Sequence, residues 1–434
     1  MECWVFICND SPLEHWMDDF EERFDAWEAG GVRGLVVGRM QFLQADGSRI
    51  GAYAPDPKIY ADFGEPAPDP GPRDLDKEKL LQAMLDNAAG RGWSLLIFGG
   101  GTAAAIQDQL NAFPQVSGFV NDGPGENHYE LAFHHGGEIL EIRPGEEDRF
   151  AKVGADMDRL RRGIDHMRQS LQRLTPERVR YHAEGGMLAS LLLFDINEDA
   201  LYWLRTRQEL SRFEWQWARS QVDQADRKVT LGGIPRAVSW SSLTGQNYHQ
   251  MAEYYDLIFP KHYFWHRGMD GMYGTISRWV QRLGRWNPSL DQADCFAVVS
   301  ALFGLTLPGV QSLDDMEGGF PDEFFAQVVE GETRRALAAV GDADRVIAWV
   351  STGREPHGGD PMPVRDLRGI LEASQAAGLK RFLYHPEPDF GAAEWRLISS
   401  ICGQPWDEDP KGYWPSATPK PGVWNGGRVA PEED

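Results

Sequence analysis

The chain is poor in cysteine, poor in positive charge and without a long apolar run. Its four cysteines in 434 residues, at 3, 8, 295 and 402, form no CxxC pair, so neither a zinc knuckle nor a disulfide framework is signalled. Lysine and arginine number 43 against 66 acidic residues, a formal net charge of -23. A field of that sign argues against a nucleic-acid partner and against attraction to an anionic membrane. No apolar segment approaches the ~20 residues needed to cross a bilayer, and no basic stretch precedes a signal-like core at the N-terminus. The expectation is a cytoplasmic protein with no membrane and no nucleic acid among its partners.

Local cofactor signatures are missing too. His128 with His134 or His135 does not give zincin spacing, and His262 and His266 stand four apart with no intervening glutamate. Gly99, Gly100 and Gly101 lack both the P-loop ending and the dinucleotide pattern, and read as a tight turn or a sugar-proximal backbone. No metal and no cofactor is expected.

What is present is a recurring event. Short apolar runs at 5–8, 34–38, 93–98, 116–120, 234–240, 256–259, 346–350 and 382–384 each stop in a polar or glycine-rich loop. Such near-continuous runs, about eight of them, read as strands buried on both faces, as in a parallel sheet. Helical periodicity fills the gaps at 12–30, 74–89, 102–113, 156–171, 199–225, 325–339 and 364–377, with a further apolar helical segment at 296–303. Asp195, Asn197 or Asp199 starts the helix near 199. Residues 51–72 read as a surface loop, 129–142 as a small hairpin, and 314–317 as a hydrated acidic loop.

The alternation predicts an α/β fold: a single (β/α)8 TIM barrel with enlarged βα loops and a long excursion after strand four. Residues 1–406 are expected to form the barrel domain with its inserted loops, and 407–434 a surface strap or flexible tail. A doubly wound sheet writes the same local pattern.

Barrel enzymes keep their chemistry where strands end. Acid–base chemistry requires one protonated carboxylic acid and one carboxylate, and the loops supply Asp122, Glu126, Asp270 and Glu355. Asp122 competes with roles as a hydroxyl clamp or loop cap, and Glu355 with an exposed pairing to Arg354 or Arg365. Donors and acceptors for sugar hydroxyls are Asn9, Asp10, Arg39, Asn121, His128, Lys261, His262, Tyr263, His266, Arg267, His385 and Glu387. The sixteen tryptophans supply core, and surfaces on which a sugar ring can stack. Lys261, after strand six, is also suited to forming an imine with a carbonyl substrate.

Several segments resemble a broad group of bacterial TIM-barrel proteins classed as glycoside-hydrolase-like: residues 119–125, 203–208, 260–275, 393–395 and 402–406. The resemblance spans most of the chain up to Trp406. It implies an acid/base carboxylate after strand four, matched by Asp122 or Glu126, and a nucleophile after strand seven, near Glu355. This chain carries Asn-Asp where those enzymes usually carry Asn-Glu. The implied activity is hydrolysis of a soluble oligosaccharide or glycoside. The alternatives are a non-hydrolytic carbohydrate-binding barrel and a lyase, transglycosidase or imine-forming aldolase-like enzyme.

Overall fold

The computed structural model describes residues 1–406 except 8–11, 45, 132–137, 265–270, 318–320, 352, 356–357, 362–363 and 387–389; between 351 and 363 only strand backbone is described. Eight strands, β1 (Glu2–Ile7), β2 (Val32–Val37), β3 (Ser94–Phe98), β4 (Gly118–Asp122), β5 (Thr230–Ile234), β6 (Leu257–Ile258), β7 (Ile347–Ser351) and β8 (Arg381–His385), form one sheet. Its order is β6-β5-β4-β3-β2-β1-β8-β7, and every pairing is parallel. The ends meet through parallel bridges Ile258–Val346 and Lys261–Trp349. There His262 N donates to Trp349 O and Trp349 N to Pro260 O, each at 2.8 Å. The sheet therefore closes as the (β/α)8 barrel that the alternation predicts, which excludes the doubly wound alternative.

Pleating sends alternate residues to opposite faces. Trp4, Phe6, Val36, Leu96, Val120, Ile234, Phe259, Ile347, Trp349 and Leu383 pack together as the barrel interior, while their neighbours in sequence join the larger core beneath the helices. Bulk in one strand requires its absence in the next. A Cβ at Gly34 would come within 2.5 Å of the Trp4 indole, one at Gly232 within 2.7 Å of Phe259, and one at Gly233 within 2.2 Å of Met251.

The same glycines explain one displaced expectation. The fifth strand is Thr230–Ile234, not the run at 234–240, whose latter half is a 3-10 turn (Val238–Trp240) leading into the short helix Ser241–Thr244. Two glycines made the true strand look too weakly apolar. The first helical stretch is also split, into Leu13–Met17 and α1 (Phe20–Ala29), with Asp19 between them at φ 49°.

Between β2 and β3 runs α2 (Leu75–Gly90), started by the Asp74 side chain accepting from Lys77 N; α3 (Ala103–Ala112) leads to β4. The excursion before β5 carries α4 (Met157–Leu171), α5 (Pro176–His182), α6 (Gly186–Leu193) and α7 (Glu198–Val222). Of the three possible starts for α7, Asn197 is the cap, accepting from Ala200 N. Then come α8 (Met272–Trp286), α9 (Gln292–Phe303), α10 (Glu330–Val340), α11 (Val364–Ala376) and α12 (Ala392–Cys402).

The stretch read as a surface loop begins at the last residue of the strand Arg49–Gly51, which forms a hairpin with Gln41–Leu43, and contains the helix Pro57–Asp62. The acidic run sits on a short helix, Leu313–Glu317, and not in a loop. The expected hairpin at 129–142 shows no strand in its described flanks, which meet through Ile139 N and Glu130 O at 2.7 Å; its tip and the tail at 407–434 lie outside the described residues. Among the described residues no helix is long and apolar enough to cross a membrane.

Gly118→Ala is expected to destabilise the fold by about 1–3 kcal/mol or more, because the added methyl would stand 2.0 Å from Thr230 O. Gly90→Ala, at the end of α2 with open space around it, is expected to be neutral or stabilising by up to ~1 kcal/mol. Urea denaturation of both variants measures the contrast.

Candidate functional site

The strand parity that fills the barrel also builds its mouth. Two residues beyond each interior side chain stands the next inward one: Asp122 after Val120, Arg236 after Ile234, Lys261 after Phe259, Trp349 after Ile347 and His385 after Leu383. Asp122 and His385 end β4 and β8, Arg236 and Lys261 stand just past β5 and β6, and Trp349 lies within β7; C-terminal strand ends are where barrels carry their chemistry. Beneath them Phe6 packs on Phe98, Trp349 and His385, with ring centroids 4.9, 5.1 and 4.9 Å away. Tyr263 meets Trp349 edge to face at 5.2 Å.

The central contact is an ion pair, Lys261 Nζ to Asp122 Oδ1 at 2.8 Å. Lys261 is buried, with its ammonium 5.3 Å from the Trp349 ring and 5.8 Å from that of Tyr263. The Asp122 side chain stays 38% exposed: it lies deep among protein atoms yet keeps a path to water. Burial pushes its pKa up, but the charges of Lys261 and Arg236, with the Lys261 hydrogen bond, outweigh burial and hold the carboxyl below its ordinary value. Asp122 is thus kept as an anion. Burial and the nearby Arg236 charge pull the Lys261 ammonium down to about 8, against the opposing pull of Asp122.

Arg236 Nε donates to Glu126 Oε2 at 2.6 Å, and its guanidinium lies 5.9 Å from the Tyr129 ring. Burial alone would lower the Arg236 pKa; Glu126, then Tyr129 and Asp122, drive it above its ordinary value. Two carboxylates and two cations thus alternate across the ends of β4, β5 and β6.

The loop after β4 is rigidly held. Gly123 and Gly125 take φ of 53° and 65°, the left-handed region open to glycine. Gly125 needs that freedom for a second reason, since a Cβ there would come within 2.8 Å of Ser211 on α7. Trp215 Nε1 donates to Pro124 O at 2.8 Å and Ser211 Oγ to Gly125 O at 2.5 Å. Asn127 Nδ2 donates to Arg207 O and Thr244 O at 3.1 and 3.0 Å, while Gln246 links Pro124 O to Arg236 N.

Of the sequence candidates, Asp122, Glu126, Lys261, Tyr263 and His385 gather at this mouth, and Arg39 is exposed just past the end of β2. Asn121 points the other way from Asp122, its amide oxygen 2.6 Å from where a Gly100 Cβ would be. His262 does not face the mouth. Its parity turns it outward against Phe264, 5.2 Å away, and burial pulls its imidazole down to about 4. His128 is buried, and its carbonyl accepts from Arg207 of α7. Glu355 ends the strand Gly353–Glu355, paired with Gly358–Pro361 just beyond β7; its side chain lies outside the described residues. Asn9, Asp10, Asp270, His266, Arg267 and Glu387 lie outside them altogether. Arg365 pairs with Asp322. Among the described residues no group of three or more His, Cys, Asp or Glu side chains is placed to hold a metal.

Arg236 and Trp349 were not singled out by sequence reasoning. Both were findable by counting two residues on from an interior strand position.

No protein-family model and no curated protein matches the chain. Among solved structures it is similar to the PgaB (BpsB) glycoside hydrolase domain from Bordetella bronchiseptica, at 10% identity and TM-score 0.40 over 89% of this chain and 94% of that one. It is similar to a β-galactosidase from the psychrophilic Marinomonas ef1, at 10% identity and TM-score 0.46 over 93% of this chain and 59% of that one. It is also similar to GH5_18 from Streptomyces cattleya in complex with GlcNAc, at 12% identity and TM-score 0.35 over 92% of this chain and 79% of that one.

Lys261→Met is expected to raise the Asp122 pKa, since an opposing charge is lost while burial remains. Carboxyl-carbon NMR titration reads the shift. Lys261 itself titrates lower folded (about 8) than its ordinary 10.5, so between those values the unfolded chain binds the extra proton. Wild-type stability should therefore rise relative to Lys261→Met across about pH 8 to 10.5, read as urea midpoints.

Proposed function

We propose that the protein is a glycoside hydrolase acting on a soluble oligosaccharide or glycoside bound at the C-terminal mouth of the barrel. The observation that carries this reading is Asp122: a carboxylate at the end of β4, held ionised by Lys261 and Arg236 and still open to water.

An anion fixed at that position suits the group that faces the anomeric carbon, as nucleophile or as base for a water, because positive charge develops there as the glycosidic bond breaks. It does not suit the proton donor, which must hold its proton at working pH. The roles therefore run opposite to those implied by the resemblance, with Asp122 as carboxylate and the proton donor drawn from Glu355 after β7 or Asp270 ahead of α8. The indole of Trp349 and the ring of Tyr263 steady the Lys261 ammonium from below, and the partly exposed Phe98 offers a face to sugar C–H groups.

A second reading rests on Lys261, whose buried amine has a pKa lowered to about 8 and so retains a neutral fraction near neutral pH. Such an amine can attack a carbonyl and form an imine.

Asp122→Asn is expected to lower kcat on a responsive aryl glycoside by about 10²–10⁴-fold with little change in KM. Glu355→Gln and Asp270→Asn identify the donor: loss is expected with poor leaving groups and partial retention with activated ones. No turnover across a broad panel of aryl glycosides and natural oligosaccharides, with Lys261 trapped by borohydride in the presence of an aldehyde or ketone, would replace hydrolysis by the imine reading.

A further inference from the structure

We infer that the α5–α6 face is a self-association surface, on which a second copy of this chain packs its own α6. The sequence of α6, Gly-Met-Leu-Ala-Ser-Leu-Leu-Leu, has one polar side chain. A helix apolar on every side belongs in an interior, yet only Leu193 of this one is buried. Met187, Leu188 and Leu192 are 76%, 70% and 65% exposed, and Tyr181 on the neighbouring α5 is 82% exposed.

Met187, with Leu191, also lines a cavity of about 830 Å³ walled by Met167, Trp203, Trp279 and Phe303. Inner and outer apolar surfaces are thus continuous. Four large apolar side chains, each at least 65% exposed on two helices packed side by side, make a contiguous patch of the kind that marks an interaction site.

Charge favours a second copy as the occupant. Between Asp156 and Arg205, the segment that carries α5 and α6, eight arginines stand against eight carboxylates, so this segment is balanced in charge within a chain of net charge -23. Two copies can meet here without the repulsion they would meet elsewhere. An anionic amphiphile finds no counter-ion, because no described residue lining the cavity is lysine or arginine and Glu184 stands among them.

Sedimentation velocity of the full chain from 1 to 100 µM tests this. A concentration-dependent dimer is expected, weakened at least tenfold by Leu188→Glu and by Leu192→Glu with unchanged circular dichroism, and unaffected by Leu80→Glu on the distant α2. A wild-type monomer throughout, or α6 variants that dimerise as wild type does, would overturn it. So would a monomer that co-floats with phosphatidylglycerol vesicles through α6, which would make the face a lipid-binding one.

Discussion

The barrel closes on two bridges, and the residue at the second is also the one that fixes the site. β6 is only two residues long, so the seam with β7 depends on the backbone just beyond it, at Pro260, Lys261 and His262 against Trp349. The Lys261 backbone completes the sheet while its side chain crosses the mouth to Asp122, and the Trp349 ring lies against the ammonium. Burying a lysine is costly unless it is paired. Here the pairing comes from strand order: β4 and β6 flank β5, so side chains of like parity at their ends reach across it, and closure against β7 fixes the backbone from which Lys261 extends.

Around that pair the charges are arranged in alternation. Glu126 neutralises Arg236, which leaves Arg236 rigid, and its field together with Lys261 keeps Asp122 ionised. An anion fixed in advance among oriented cations needs little rearrangement when charge develops on a substrate, and that is how electrostatic preorganisation lowers a barrier.

Much of this was legible from the residues. Apolar runs ending in polar loops gave the strands, and Asp122 stood out because an apolar run ends in a carboxylate there. What hid Arg236 was the glycine pair of β5. Gly232 and Gly233 make room for Phe259, Met251 and Tyr255, and a strand that yields its volume to neighbours loses its apolar signature. His262 was assigned to the mouth by proximity to Lys261, although adjacent strand residues face opposite ways. The pairing of Lys261 with Asp122 could not be read at all, because it joins positions 139 residues apart and depends on which strand ends the closed sheet makes neighbours.

The long excursion after β4 has a consequence for how this fold can change. Through Ser211, Trp215 and the Arg207 carbonyl, α7 grips the glycine loop that follows Asp122. Insertions in barrels are commonly free to drift, since they hang from the scaffold by their ends. This one is a splint on the loop that carries Asp122, so substitutions along one inner stripe of a distant helix reach the barrel mouth, and the excursion cannot be trimmed away without surrendering the geometry it holds.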